Sequence, residues 1–165
     1  MFRAGVITVS DKGSQGKRED LSGPAIAAML ADLAIEVCAS IIIPDETDRI
    51  VEAIIKFADA EKLDLVLTTG GTGVSPRDVT PDATLKVIDK EIPGMAEAMR
   101  RQSSKITPHA MISRAIAGIR GQCLIINLPG SPKGAKENLT VLLPALKHAI
   151  EKIKGDTAEC AAPEQ

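Results

Sequence analysis

Aromatic side chains are almost absent from this chain of 165 residues, which has no Trp, no Tyr and only two Phe. Single-stranded nucleic acids bind largely by stacking on aromatic rings, so the chain lacks the usual platforms for that contact. Its formal net charge of −2 also lacks the positive excess that attracts a phosphate backbone. We therefore expect no nucleic-acid partner.

Cysteine and histidine are scarce too, with three Cys, two His and no C-x-x-C spacing. This usage is typical of a reducing compartment rather than of a disulfide framework, and we expect a cytoplasmic location. Cys38 and Cys123 lie in apolar runs, which predicts that both are core residues. His109 and His148 have no metal-site spacing, so we expect them to be structural or surface residues.

Long apolar runs are missing as well, since no segment approaches the ~18 residues that a membrane span needs. No Pro- or Ser-rich linker divides the chain, and 44% hydrophobic content is enough for one core. We therefore expect no membrane association and a single domain over residues 1–154. The small, polar stretch 155–165 is expected to be a disordered tail.

Apolar runs and helical periodicity alternate along the first half of the chain. Residues 4–9, 35–43 and 63–68 are predicted strands, and apolar residues at helical spacing predict helices over 25–33 and 48–60. Repeated strand–helix units produce a mainly parallel sheet with helices on both faces. We therefore predict a three-layer α/β/α fold.

Helix signals continue in the second half of the chain. Thr80 is predicted to cap a short helix that runs to about residue 89, as Ser22 is predicted to cap the first helix. Residues 95–104 and 133–154 are also predicted helices. Pro144 is expected to bend or split the last one, because proline cannot donate the helical hydrogen bond.

A hairpin pattern interrupts these helices. Residues 113–119 and 123–128 are apolar runs that flank the turn Arg120-Gly121-Gln122. This pattern predicts an antiparallel pair near the C-terminal third of an otherwise mostly parallel sheet.

A glycine-rich loop follows the third predicted strand. Its sequence, Thr-Thr-Gly-Gly-Thr-Gly-Val-Ser-Pro-Arg-Asp over residues 68–78, is neither a Walker A loop nor a dinucleotide fingerprint. Glycines allow a ligand to approach the backbone, and successive N–H groups over 70–74 can converge on an anion. The predicted phosphate-binding residues are Thr69, Gly70, Gly71, Thr72, Gly73 and Ser75.

Two further loops follow predicted strands in the same way. They are Pro44-Asp45-Glu46 and the stretch 129–134, where Ser131 and Lys133 stand at the start of a predicted helix. Helix N-termini, hydroxyls and ammonium groups all bind phosphate. Because ligands bind at the carboxyl ends of parallel strands, we expect the three loops to form one site.

Six ordered motifs strengthen this interpretation. They are Thr-Val-Ser-Asp at 8–11, Asp-Leu-Ser-Gly-Pro at 20–24, Thr-Thr-Gly-Gly-Thr-Gly at 68–73, Ser-Pro-Arg-Asp-Val-Thr-Pro-Asp-Ala at 75–83, Ile-Pro-Gly-Met at 92–95 and Leu-Pro-Gly-Ser-Pro-Lys at 128–133. Together they resemble the MogA/MoaB family of molybdenum-cofactor biosynthesis, over nearly the whole chain to about residue 154.

The resemblance implies a three-layer α/β/α fold, a homotrimer and the binding of molybdopterin. It also implies an enzyme, a molybdopterin adenylyltransferase that converts MgATP and molybdopterin into adenylyl-molybdopterin and pyrophosphate. The nucleophile is then the phosphate of molybdopterin, which is largely dianionic at pH 7 and needs no strong general base. Positioning and charge neutralisation remain for the protein to supply.

The family's catalytic aspartates match Asp45 and Asp78, which the resemblance implies as catalytic residues and as ligands of Mg²⁺. The alternatives are a turn residue for Asp45 and an Asx-turn for Asp78. Weaker candidates for the substrate site are Ser10, Asp11, Ser22 and Arg77.

Assembly is predicted from the same resemblance. Met95 and Met99 stand at i and i+4 on a predicted helix, and with the 44% apolar content they suggest apolar surface buried between subunits. The sequence leaves open whether the chain promotes metal insertion and whether a molybdenum-insertion enzyme is its partner.

Two other functions remain open at this stage. The chain has no insertion near its last helix, which resembles the shorter MoaB-type layout and allows a non-catalytic molybdopterin-binding or carrier protein. A nucleotide-metabolising domain of the CinA type shares the fold and a glycine-rich loop. The unbroken Thr-Pro-Asp-Ala motif at 80–83 and the absence of a second domain weigh against it.

Overall fold

One sheet organises the computed structural model of the chain, which describes residues 1–157. Within these residues its strands are β1 (Phe2–Val9), β2 (Ile35–Ile43), β3 (Leu65–Thr69), β4 (Lys90–Glu91), β5 (Ala117–Arg120) and β6 (Cys123–Leu128). The spatial order is β2-β1-β3-β6-β5-β4. The first four strands in that order are mutually parallel, and β5 and β4 add antiparallel pairs, which confirms the predicted sheet.

Helices and turns connect the strands. The helices are α1 (Asp11–Ser14), α2 (Ser22–Ala31), α3 (Thr47–Ile55), α4 (Thr80–Leu85), α5 (Pro93–Ser103) and α6 (Pro132–Ile153). A π-helical turn, Lys56–Ala60, extends α3, and a 3₁₀ turn, Pro108–Ile112, follows α5. No helix within the described residues is long and apolar enough to cross a bilayer.

Each face of the sheet has its own core, because alternate side chains of a strand point to opposite faces. Val6 of β1 packs in a cluster with α2, α5 and α6, whereas Ile7 packs in a second cluster with α3 and α4. This arrangement confirms the three predicted layers. Met99 is 1% exposed and Met95 packs against the first cluster, so both methionines serve the core of the subunit.

The two predicted helix caps are wrong. Ser22 lies inside the first turn of α2, and the carboxylate of Asp20 accepts the N–H groups of Ser22 and Gly23 at 3.0 and 3.1 Å. Thr80 likewise lies inside α4 and donates its hydroxyl to the carbonyl of Gly70 at 2.9 Å. The carboxylate of Asp20 accepts two N–H groups of α2, which frees the hydroxyl of Ser22 for a contact with another loop.

Helix lengths also differ from the predictions. α4 ends at Leu85, because the chain then turns so that the N–H of Asp89 reaches the carbonyl of Ile119 at the edge of the sheet. α6 is not split at Pro144. Leu142 and Leu146 on either side of it are buried, and their packing outweighs the loss of one hydrogen bond.

Cys38 is exposed, in contrast to its predicted place in the core, whereas Cys123 is buried as predicted. β2 is the edge strand of the sheet, and its residues alternate between buried or half-buried and exposed. Cys160 and the rest of the predicted tail from residue 158 lie outside the described residues.

Candidate functional site

Many of the predicted site residues surround a cavity of about 410 Å³ at the carboxyl ends of the parallel strands. Its walls come from the segments after β1, β2, β3 and β6, and the structure therefore brings the three suspected loops together. The predicted site residues that line it are Ser10, Ser22, Asp45, Thr69, Gly70, Gly71 and Ser131.

The glycine-rich loop can adopt its path only because two of its residues lack a side chain. Gly70 and Gly71 have φ of 101° and 65°, which L-residues rarely adopt. A Cβ on Gly70 would lie 2.3 Å from the carbonyl oxygen of Val9, and one on Gly71 would lie 2.5 Å from the hydroxyl of Thr80. The loop is thus pressed against β1 and α4, beside the cavity.

Not every N–H of this loop is directed at a ligand. The N–H of Gly70 donates to the carbonyl of Leu128 at 3.0 Å, and that of Ser75 donates to the carboxylate of Asp78 at 2.9 Å. The predicted nest of N–H groups is therefore shorter than the span 70–74 suggested.

Asp45 is half-buried and forms a reciprocal pair with Asp11. The N–H of Asp11 donates to Oδ2 of Asp45 at 2.8 Å, and the N–H of Asp45 donates to Oδ1 of Asp11 at 3.0 Å. Arg77 then holds Asp11 through two guanidinium contacts, at 3.0 and 2.7 Å. These contacts fix the loop after β2 to the loop after β1 and to the glycine-rich loop.

The two carboxylates of this pair differ in their acidity. Hydrogen bonding to Arg77 is the main reason that the pKa of Asp11 lies below its usual value. Burial raises the pKa of Asp45, the N–H of Asp11 partly offsets that rise, and the charges of Asp11 and Asp78 add to it. A cation bound at Asp45 would offset both the cost of burying its negative charge and the repulsion from the carboxylates of Asp11 and Asp78.

Asp78 is the last residue of the glycine-rich loop. Its Oδ2 accepts the N–H of Ser75 while its own N–H donates to the carbonyl of Ser75, both at 2.9 Å. An Asx-turn, the alternative that the sequence left for Asp78, would require its carboxylate to accept the N–H of Thr80, but that N–H donates to the carbonyl of Gly71, so this alternative is wrong. Asp78 also does not line the cavity. A Cβ on Gly73 would lie 2.8 Å from Asp78, just as one on Gly71 would lie 3.1 Å from Asp45.

Polar residues of the other loops are arranged around the same opening. Ser131 caps α6 by accepting the N–H of Gly134 at 3.1 Å, and the hydroxyl of Ser22 donates to the carbonyl of Gly130 at 3.1 Å. Thr69 donates to the carbonyl of Pro129 at 2.9 Å. These bonds join the strand ends into one rim.

Lys133 is placed differently from the prediction that paired it with Ser131. Its side chain is 81% exposed, it approaches Glu137 at 3.9 Å, and it is not part of the cavity wall. Contact with a substrate phosphate would require its flexible side chain to swing from Glu137 towards the start of α6.

A second cavity, of about 260 Å³, adjoins the first at Ser131. It lies between the 3₁₀ turn and the start of α6, and Thr72 and Gly73 belong to its wall. Two adjoining cavities with a shared hydroxyl suit a ligand of two parts.

Residues of two kinds at the site were not predicted from the sequence. Arg18 and Glu19 line the first cavity, and the charged run that ends at residue 20 was their only signal. Asp20 lines it too and begins the motif at 20–24. Arg114 contacts the glycine-rich loop from about forty residues away in sequence, as for its bond to Gly73. No local pattern marks such a contact.

Magnesium fits the donor set of this edge. No group of three or more His, Cys, Asp or Glu residues that could hold a metal occurs in the chain up to residue 157. Mg²⁺ is commonly held by one or two carboxylates together with substrate phosphates and water, and the carboxylates of Asp45 and Asp78 lie beside Gly71 and Gly73 of the glycine-rich loop. The raised pKa of Asp45 is consistent with a site that favours a cation.

Comparison with known proteins gives a consistent result. A family model described as a probable molybdopterin binding domain matches residues 5–148. Molybdopterin adenylyltransferase of Helicobacter pylori strain 26695 is 46% identical over 154 residues, which cover 92% of this chain and 88% of that protein. The molybdopterin adenylyltransferase of Escherichia coli K12 is 44% identical over 143 residues, which cover 84% of this chain and 72% of the Escherichia coli protein.

Solved structures agree with these relatives. MoaB from Thermus thermophilus superposes with a TM-score of 0.90 at 51% identity, over 94% of this chain and 98% of that one. A CinA protein from Thermoplasma acidophilum has a TM-score of 0.62 at only 21% identity, so that likeness extends to the fold alone. The chain therefore belongs to the molybdopterin-binding domain family of molybdenum cofactor biosynthesis, the MogA/MoaB family.

Proposed function

We propose that this chain is a molybdopterin adenylyltransferase, which transfers AMP from ATP to the terminal phosphate of molybdopterin. The observation that supports this most is the cavity itself, whose wall contains the half-buried carboxylate Asp45 together with Gly70, Gly71, Ser10 and Ser131. Relatives named for this activity are 46% and 44% identical to the chain.

The proposed reaction forms one phosphorus–oxygen bond and breaks another. A phosphate oxygen of molybdopterin attacks the α-phosphorus of ATP, and the bond to the leaving pyrophosphate breaks. Because the attacking oxygen is already ionised at neutral pH, the protein has no proton to remove. Its task is to hold two anions close together, through the glycine-rich loop, the start of α6 and the hydroxyls of Ser10 and Ser131.

Asp45 and Asp78 are the residues that would hold Mg²⁺. When bound there with substrate oxygens, the metal supplies charge neutralisation for the transferred phosphoryl group. Asp11 keeps Asp45 in place, since its N–H holds the carboxylate of Asp45 and its own carboxylate accepts the N–H of Asp45. Arg77 in turn holds the carboxylate of Asp11. Asp78 is positioned by the turn that it forms with Ser75.

We also propose that the chain acts as a homotrimer in the cytoplasm. Met99 is buried inside the subunit and Met95 is half-buried against the same core, so the pair leaves little apolar surface for an interface. Ile106, Met111 and Ile112 instead present apolar side chains that are 55%, 74% and 51% exposed around the 3₁₀ turn. Light scattering at micromolar concentration should give three times the chain mass, and a monomer mass would exclude the trimer.

A molybdopterin carrier without catalysis is the second candidate. It is favoured by the hydrogen bond that engages Asp78 within its own loop. The carrier binds molybdopterin in the same cavities and forms no product.

The test is a direct assay. The purified chain is incubated with molybdopterin, ATP and Mg²⁺, and the products are analysed by mass spectrometry, with the Asp45→Ala variant and a sample without Mg²⁺ as controls. We expect adenylyl-molybdopterin and pyrophosphate from the wild type with Mg²⁺, and far less product in both controls. Binding of molybdopterin without any adenylyl product would exclude the transferase and support the carrier.

A further inference from the structure

One guanidinium group holds much of the glycine-rich loop. Arg114 lies between the 3₁₀ turn and β5, and its Nε donates to the carbonyl of Gly73 at 2.7 Å. Its Nη2 donates to the carbonyl of Asp78 at 2.5 Å, and the N–H of its own backbone donates to the carbonyl of Thr72 at 2.8 Å. The two carbonyls bound by the side chain belong to the ends of the turn that contains Ser75.

Asp82 orients this guanidinium from the far side. Its two carboxylate oxygens accept Nη1 and Nη2 of Arg114 at 3.1 and 2.9 Å. The contact is mutual, since hydrogen bonding to the partner lowers the pKa of Asp82 and raises that of Arg114. Asp82 itself lies on α4, which begins where the glycine-rich loop ends.

The geometry of these bonds requires arginine. A guanidinium presents several N–H groups in a rigid plane, so it can hold two carbonyls and one carboxylate at once. Lysine has a single donor atom on a flexible stem and cannot span Gly73 and Asp78 together. Without this group the turn would be held by the bonds between Ser75 and Asp78 and by the contacts of its flanking residues.

We propose that Arg114 is a positioning residue, which keeps the glycine-rich loop and Asp78 in the arrangement needed for phosphoryl-group transfer. It contacts backbone carbonyls of the loop rather than the cavity, and it does not line the first cavity. Its catalytic consequence rests on the proposed adenylyl transfer. Its consequence for the loop does not.

The chain offers a matched control at the opposite end of the sheet. Arg120 makes the same kinds of contact, a forked pair with Asp59 and a bond from Nη1 to the carbonyl of Val87 at 2.8 Å. It is distant from the cavity of the site. Arg120→Ala therefore removes a comparable set of bonds without touching the glycine-rich loop.

The first measurement is hydrogen exchange at the amides of Ser75, Asp78 and Thr80, each of which is hydrogen-bonded in the loop. We expect Arg114→Ala to accelerate their exchange on the order of tenfold, and Arg120→Ala to leave it unchanged. Unchanged exchange in Arg114→Ala would overturn the proposal whether or not the wild type is an enzyme.

The second measurement is steady-state kinetics with molybdopterin and ATP. Misplacing the loop should lower kcat by about 10- to 100-fold while KM changes by less than about threefold, because most binding groups stay in place. Arg114→Lys should recover little of this loss, whereas added guanidinium ion should restore part of the activity of Arg114→Ala. Wild-type kcat in Arg114→Ala would overturn the catalytic role.

A milder variant keeps the test valid if Arg114→Ala does not fold. Asp82→Asn removes the charge that orients the guanidinium but keeps both loop carbonyls in reach. We expect faster amide exchange and a lower kcat here as well. On a logarithmic scale each change should be about a third or less of the change in Arg114→Ala. Asp82→Asn with wild-type exchange and wild-type kcat would contradict the proposed orientation.

Discussion

The two ends of the parallel strands contain similar residues but differ in construction. At the amino end, Asp59, Asp64, Arg120 and Lys154 surround a cavity of about 480 Å³ that is somewhat larger than the one at the carboxyl end. Ion pairs are present at both ends, between Arg120 and Asp59 and between Arg77 and Asp11. Neither cavity volume nor ion pairs therefore distinguish the site.

The two ends differ in how closely backbone segments approach one another. The cavity at the carboxyl end is lined by Gly13, Gly70, Gly71 and Gly130, whereas Gly121 is the one glycine in the wall at the amino end, among the described residues. A Cβ on Gly70 would clash with β1, but one on Gly121 would meet nothing within 4 Å. Close approach of backbone to backbone thus marks the end that is built to hold a ligand.

Removing a carboxylate should produce the largest difference in turnover between the two ends of the parallel strands. Asp45→Ala and Asp78→Ala should each lower turnover by ~10²–10³, or roughly 3–4 kcal/mol, because each removes charge that offsets the transferred phosphoryl group. Asp59→Ala at the amino end should leave turnover unchanged. The measurement is turnover together with molybdopterin titration, and binding should persist in all three variants.

The asparagine variants separate charge from loop structure at these positions. Asp78→Asn keeps an acceptor for the N–H of Ser75, so a loss as large as in Asp78→Ala would implicate the charge. If Asp78→Asn keeps wild-type turnover, Asp78 serves only to form its turn. Wild-type turnover in Asp45→Ala would remove that residue from the catalytic assignment as well.

Glycine substitutions should differ next. Gly70→Ala places a Cβ 2.3 Å from a backbone oxygen at φ of 101°, so it should lower the free energy of unfolding by about 3 kcal/mol. Gly121→Ala has open space and strains only its φ of 56°, which costs about 1 kcal/mol. Urea unfolding measures both, and equal losses would mean that the loop relaxes away from β1.

An ion pair at the amino end should matter for stability alone. Asp64 is buried, accepts the N–H of Arg3 at 2.8 Å and pairs with Lys154 at the end of α6. Asp64→Asn keeps the shape and loses the charge, so we expect a loss of about 1–2 kcal/mol in the free energy of unfolding. Turnover at 25 °C should be unchanged, and a large loss of turnover would show that the two ends are coupled.

The smallest effects concern pH. Burial raises the pKa of Asp45, so this carboxylate takes up its proton at a higher pH than an ordinary aspartate, and kcat/KM should fall as the pH decreases through that pKa. Arg77→Gln removes a positive charge that lowers it, and the acid limb should move to higher pH. Asp11→Asn removes a negative charge that raises it, and the limb should move to lower pH.

The pH–rate profiles of the wild type and both variants test this assignment. Limbs that coincide in all three would show that another group titrates. A shift in the opposite direction for either variant would mean that its side chain acts on Asp45 through contacts rather than charge.

Much of the fold could be predicted because the buried strands are apolar runs. β1, β3 and β6 are buried on both faces, and parallel strands place their following loops at one edge. The prediction that Cys38 is buried was wrong, because a single sequence does not show which strand lies at the edge of the sheet. Strand β4 was not predicted either, because its two residues are exposed and have no apolar pattern.

The site was harder to predict than the fold. The glycines and carboxylates of single loops could be found in the sequence, because plain turns seldom need so many glycines, hydroxyls and charged residues together. Contacts between distant segments were not visible, as for Arg114 with Gly73, or for Asp20, which both caps α2 and accepts the hydroxyl of Thr8. Such bonds depend on the tertiary arrangement of loops rather than on local periodicity.

The location of the ligand can be measured directly by two-dimensional NMR of the ¹⁵N-labelled chain during titration with adenylyl-molybdopterin. If the carboxyl end is the site, the amide signals of Gly70, Gly71, Gly130 and Ser131 should shift in a saturable manner while that of Gly121 stays unchanged. Saturable shifts that cluster around Gly121 and Lys154, with the glycine-rich loop unaffected, would contradict this assignment.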